Sequence, residues 1–167
     1  MRTSGVAVLT AVALLGPAGS AAAEPPGEWV PAPSEPSTAP AGTRCAFDVR
    51  VEQLVDEVVK RVVETYPDGS VKREEYKGPL IDRVTNLATG ESVEANASGH
   101  AFLTYRPDGV VTWDWSGPVL MGFGPGQSNH DPGLYLLTGH YAVDISDDYR
   151  LVRRADGEER DLCAELS

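Results

Sequence analysis

Apolar and polar residues alternate with a period of two over most of the second half of the chain. Ala101, Leu103 and Tyr105 fall on one side of this pattern, and Phe102, Thr104 and Arg106 on the other. Val111, Trp113 and Trp115 alternate with Thr112 and Asp114, and Tyr141, Val143 and Ile145 with Ala142 and Asp144. Val93, Ala95 and Ala97 do the same against Ser92, Glu94 and Asn96. Successive side chains of a strand point to opposite faces, so each run predicts a strand with one buried face. The runs are punctuated by Pro67-Asp68-Gly69, Pro107-Asp108-Gly109 and Ala155-Asp156-Gly157. Proline presets φ, aspartate suits the second position and glycine takes the left-handed third, which predicts three hairpins on type I turns with a glycine bulge. Asn86 to Gly90 predicts a fourth, longer turn.

One segment pulls two ways. Val51, Leu54, Val55, Val58, Val59, Val62 and Val63 fall at helical spacing, with charged residues between them. Yet the same stretch is dense in valine and runs directly into a hairpin turn, and β-branched residues favour strands. It also divides into two alternating pieces, Phe47-Val49-Val51 and Val59-Arg61-Val63-Thr65. Two strands are the expected outcome. Eight to ten strands follow for the whole chain, with no room for a crossover helix.

Cys45 and Cys163 are the only cysteines. They bracket all of the predicted strands, and a disulfide between them restricts the unfolded chain by about 4–5 kcal/mol in the loop-entropy picture. A sequential meander whose first and last strands are stitched together has its edges side by side. The expected architecture is therefore an antiparallel up-and-down meander closing into a small barrel, because closure removes exposed edges. A two-sheet sandwich with a terminal staple is the alternative.

The N-terminus reads as an export signal over residues 1–23. Arg2 leads, Val6 to Leu15 form a short apolar run, Gly16-Pro17 breaks it, and Ala21-Ala22-Ala23 offers a small-residue cleavage site. The apolar run is about ten residues, half of what a membrane helix requires. The expected product is secreted, with no membrane association after cleavage, and an exported compartment favours the disulfide over free thiols. Residues 24–44 hold six prolines among Ala, Ser, Thr and Gly, a composition expected of a disordered spacer. Trp29 is its one anchor candidate, although a solvent-exposed ring in a tail is the safer expectation. Residues 45–167 form the single folded domain. A formal charge of -11 argues against nucleic acid and anionic membrane surfaces as partners. Arginine outnumbers lysine eleven to three, a composition typical of GC-rich bacterial genomes.

Three stretches resemble a group of short secreted actinobacterial proteins with no assigned activity. They are Cys45-Ala46-Phe47-Asp48-Val49, then Val84 to Val93, then Asp161-Leu162-Cys163-Ala164-Glu165-Leu166. The resemblance spans residues 45–167 and rests on turns and paired terminal cysteines. It implies export and the barrel, and carries over no catalytic residue. The valine-rich stretch Val51 to Val63 departs from the group in its charge.

Candidate chemistry is sparse. His100, His130 and His140 are far apart and lack the convergent ligands of a zinc site, so neither a metal nor a cofactor is expected. Ser98-Gly99-His100 sets a hydroxyl near an imidazole, but no nucleophile elbow surrounds it. Asp114 lies between two tryptophans and alternation turns it away from both. Gly122, Gly124 and Gly126 lead into a loop over residues 123–133 that no helix follows, unlike a phosphate-cradling loop. That loop is expected at one mouth of the barrel. The ligand-binding candidates are Trp113, Trp115, Tyr105, Tyr141 and His140, because aromatic faces and one strand histidine can line a barrel interior. The favoured reading is a non-enzymatic β-barrel that binds a small molecule or an extracellular protein. A small-barrel cyclase or isomerase, similar in architecture to allene oxide cyclase and dirigent barrels, is the alternative. A secreted protease inhibitor using the 123–133 loop is a third reading, which the loop's glycines weaken.

Overall fold

A computed structural model describes residues 26–167; the export signal expected over residues 1–23 lies outside the described residues. In chain order the strands are β1 (Val30–Pro31), β2 (Ser37–Ala39), β3 (Val49–Asp56), β4 (Val59–Thr65), β5 (Val71–Lys77) and β6 (Leu80–Asn86). They continue with β7 (Ser92–Asn96), β8 (His100–Tyr105), β9 (Val111–Phe123), β10 (Gly133–Ile145) and β11 (Arg150–Asp161), ahead of a short helix α1 (Leu162–Glu165). The valine-rich stretch is two strands, β3 and β4, as its alternation predicts. The Pro-Asp-Gly turns close β4–β5 and β8–β9, with Gly69 and Gly109 at φ of 85° and 83°. The turn at Asn86–Gly90 joins β6 to β7.

The strands form two sheets, in the orders β1-β4-β5-β8-β9-β10-β11 and β2-β3-β6-β7, and every pairing of named strands is antiparallel. By strand, β3 pairs with β6 and β5 with β8. A meander order appears only when β3–β4, β5–β6 and β7–β8 are each taken as one run that passes between the sheets, with successive runs then paired in chain order. Closure into a barrel does not follow: β11 pairs with β10 alone, and the first strands never reach it. The disulfide does not join two strand edges either. Cys45 lies between β2 and β3, and Cys163 lies in α1.

A row of glycines accounts for the split. Gly139 on β10 pairs with Gly117 on β9 and with Gly157 on β11. Register on either side sets Gly99 opposite Gly117, and Gly78 opposite Gly99. Gly78, Gly117 and Gly139 have φ of 137°, 88° and 140°, values that side-chain-bearing residues rarely adopt. Along this row β3 gives way to β4, β5 to β6, and β7 to β8, each crossing from one sheet to the other, whereas β9–β11 run straight through. Two of the three crossings carry a glycine, Gly78 and Gly99, and the third passes through Glu57-Val58 opposite Gly78, so the meander opens into two layers instead of rolling up. Ala155-Asp156-Gly157 is thus no turn. It sits inside the 12-residue β11, where Gly157 is needed because a Cβ there would overlap the Thr138 carbonyl across the strand pair.

Two apolar clusters fill the layers. One gathers Trp115, Tyr141, Leu137, Val143, Phe123 and Met121 on the larger sheet. The other packs Val49, Val84 and Ala95 of the smaller sheet against Leu134, Leu162 and Leu166. The run Leu134-Tyr135-Leu136-Leu137 therefore has both faces covered, which a single alternating pattern would not suggest. Asp161 caps α1, accepting from the Cys163 and Ala164 amides at 2.9 and 3.1 Å. No helix among the described residues is long and apolar enough to cross a membrane.

The proline-rich stretch is ordered along its described part, contrary to the expected spacer. β1 pairs with β4 in the larger sheet and β2 with β3 in the smaller one, so residues 30–39 strap both. Gly27 and Ala32 donate backbone hydrogen bonds to Val62 and Val58. Proline is tolerated there because these are edge strands. Trp29 anchors the strap, its ring 4.5 Å from the Arg61 guanidinium and 4.2 Å from Lys77 Nζ.

Candidate functional site

The strap, β3 and the larger sheet enclose a cavity of about 380 Å³. β9 and β10 contribute Trp113, Leu120, Met121, Leu134 and Ile145; β3 contributes Val49 and Val51; β2 contributes Ser37, Thr38 and Ala39. Arg44, just before the disulfide, and Arg150, opening β11, complete the wall. A second cavity of about 230 Å³ lies on the other side of Trp113, between Ala32 and Ser34 of the strap and Ala101, Leu103 and Val119. Trp113 is common to both walls and is half-buried. A mainly apolar concavity of this size with a few polar groups is the usual form of a small-molecule site.

The five sequence candidates do not converge. Only Trp113 reaches these cavities. Trp115 stacks on Tyr141 at 5.4 Å and 12°, and both are buried as core. His140 is exposed, on the face opposite Tyr141. Tyr105 donates its hydroxyl to Glu74 at 2.6 Å, and burial together with that carboxylate pushes the phenol well above its ordinary value. Tyr76 donates to the same Glu74 at 2.8 Å and is raised to about 12, by burial first and Glu74 second. Lys60 completes the group with an ion pair to Glu74 at 3.0 Å.

The other titratable candidates have structural partners. His100 Nε2 meets Glu75 at 2.7 Å, and Glu75 also pairs with Arg61. Ser98 Oγ donates to the Leu80 carbonyl and accepts from its amide. His130 stacks on Phe123 at 4.3 Å and faces Glu159 at 3.0 Å. Asp114 is exposed, as its alternation predicts. No group of three or more His, Cys, Asp or Glu side chains able to hold a metal occurs among the described residues. The loop between β9 and β10, despite its glycines, is fastened to β11. Asn129 accepts from the Val152 amide at 2.7 Å and donates to its carbonyl at 3.0 Å, while the Arg150 amide donates to Gln127.

No protein-family model, curated protein or solved structure matches this chain. The geometry alone carries the functional reading.

Sequence reasoning missed the two arginines. Nothing local distinguishes Arg44 or Arg150 from the chain's other basic residues. They are 106 positions apart in the numbering and meet only because the disulfide segment folds under the start of β11. The one available signal is indirect. Gly122 lies in the wall, where a side chain would collide with the Arg44 guanidinium.

Proposed function

We propose that this chain is a secreted binding protein whose small-molecule ligand has an apolar body and sits between the strap and the larger sheet. The supporting observation is the cavity of about 380 Å³ beside Trp113, lined chiefly by Val49, Val51, Leu120, Met121, Leu134 and Ile145. Apolar surface that faces a concavity gains when a ligand removes it from water, by about 25 cal/mol per Å². A cyclase or isomerase reading draws less support. Neither a carboxylate nor a histidine lines this cavity, and arginine does not exchange its proton near neutral pH.

Titration with N-phenyl-1-naphthylamine, a neutral apolar fluorophore, tests the reading. Saturable enhancement at one probe per chain is expected, with quenching of tryptophan emission that weakens in Trp113→Phe. Absence of saturable binding by this probe and by linear twelve-carbon ligands would overturn it.

A further inference from the structure

We propose that Arg44 and Arg150 form an anion-binding pair in the wall of this cavity, and that its ligand is an amphiphilic organic carboxylate. The inference rests on the binding reading above and narrows it to one chemical class. The apolar tail lies against Val51, Leu120, Met121 and Leu134, and the carboxylate meets the two guanidinium groups.

Unmet charge carries the argument. Arg50, Arg61, Arg106, Arg153, Arg154 and Arg160 each pair with a carboxylate. Four arginines have no such partner among the described residues: Arg44, Arg73, Arg83 and Arg150. Arg73, whose Nε is also shielded and unpaired, lies 4.2 Å from the Phe102 ring, and neither it nor Arg83 lines the cavity, whereas Arg44 and Arg150 both do. Nη1 of Arg44 and Nε of Arg150 are shielded from solvent and have no hydrogen-bond acceptor. Leaving a buried cationic donor unpaired is expensive. Here two such groups share one wall. Burial pulls both guanidinium groups below their ordinary value, and for Arg44 the nearby charge of Arg150 adds to it. A negative group placed between them would relieve the desolvation and the mutual repulsion together.

The pair is also held in position. Arg44 adjoins the disulfide at Cys45 and lies against Gly122, whose missing side chain leaves the room it occupies. Arg150 is tied by its amide to Gln127 at 2.8 Å and by a bridge to Ser128. Planar guanidinium forks suit a carboxylate, which accepts two hydrogen bonds from each. The surrounding apolar lining disfavours a bare inorganic anion, which would lose its hydration without covering that surface.

The test compares dodecanoate, dodecanol and inorganic phosphate as competitors of N-phenyl-1-naphthylamine on the full chain. Dodecanoate is expected to bind at least about tenfold tighter than dodecanol, a difference of about 1.4 kcal/mol, and phosphate not to compete. Arg44→Met and Arg150→Met should each bring that ratio close to one, by weakening dodecanoate more than dodecanol. Ligand-free, both variants should unfold at the same urea concentration as the parent or a higher one, because a half-buried, unpaired charge has been removed. Equal affinities for dodecanoate and dodecanol in the parent chain, with the fluorophore bound, would refute the inference and leave the binding reading intact. Ligand-free variants that unfold earlier would also count against it, since the arginines would then be structural. If neither twelve-carbon ligand nor the fluorophore binds, the binding reading fails first. The parent-chain ratio decides the question even if a variant does not fold.

Discussion

Glu74 and Asp82 are both buried carboxylates, at 6 % and 3 % exposure, and their surroundings push them in opposite directions. Burial raises Glu74, but hydrogen bonds from Tyr105, Lys60 and Tyr76 outweigh it and hold the group below its ordinary value. Asp82 has one side-chain partner, Gln53 at 3.2 Å, and burial keeps it above its ordinary value. The stability Glu74 contributes is therefore complete above the ordinary carboxylate range and is lost as pH falls through its depressed value. Asp82 works the other way: its ionisation opposes folding, and the penalty grows as pH rises from the ordinary carboxylate value to the raised one. Glu74→Gln should cost about 2 kcal/mol in urea unfolding at pH 7, the scale of charge-assisted hydrogen bonds, with a smaller loss in acid. Asp82→Asn should stabilise at pH 7 and have no effect once the aspartate is protonated. A destabilised Asp82→Asn would show that its charge has a partner worth more than its burial. None of this is legible locally, because Val71–Lys77 reads as a polar strand. Tyr105 and Lys60 reach Glu74 from neighbouring strands.

At the level of elements, patterning made most strands visible, and it failed where two structures share one local signature. Val51–Val63 carried both a helical and an alternating pattern, and valine content decided correctly for strands. Ala155-Asp156-Gly157 matched a hairpin turn as well as Pro107-Asp108-Gly109 did. Its glycine instead belongs to the row formed with Gly139 and Gly117, which only register reveals. Gly78, Gly99, Gly117, Gly139 and Gly157 lie 18 to 22 residues apart, two at crossings between the sheets and three inside β9, β10 and β11, and the interval gains meaning only once the strands are aligned. The hinge predicts a contrast between glycines. A Cβ at Gly139, with φ of 140°, would overlap the Asp156 carbonyl, whereas one at Gly126, with φ of 68°, meets open space. Gly139→Ala should cost about 3 kcal/mol or more from strain and overlap combined, and Gly126→Ala about 1 kcal/mol. Urea midpoints of the two variants check this. Similar losses would mean the row tolerates a side chain and does not set the bend.

For the whole molecule, the paired cysteines led to the right covalent link and the wrong shape. Closure assumed that joined chain ends mean joined strand edges, but Cys45 precedes β3 across a loop and Cys163 follows β11 inside α1. The bond links the smaller sheet's entry to the turn that buries Leu162 and Leu166 against Val49 and Val84. Its removal acts twice. Freeing a link across 118 residues relaxes the unfolded chain and should lower stability by about 4–5 kcal/mol, a large part of an ordinary domain's total. It also releases Arg44, which is held at the cavity by its neighbour Cys45, while Arg150 keeps its own backbone ties to Gln127 and Ser128. In the Cys45→Ser, Cys163→Ser chain, at a temperature where circular dichroism shows it still folded, dodecanoate should lose several-fold more affinity than N-phenyl-1-naphthylamine. A uniform loss for both ligands would mean the cystine merely supports the cavity walls. A selective loss would make it the element that places one of the two charges, so the bond best read from the sequence would also position the arginine that the sequence hid.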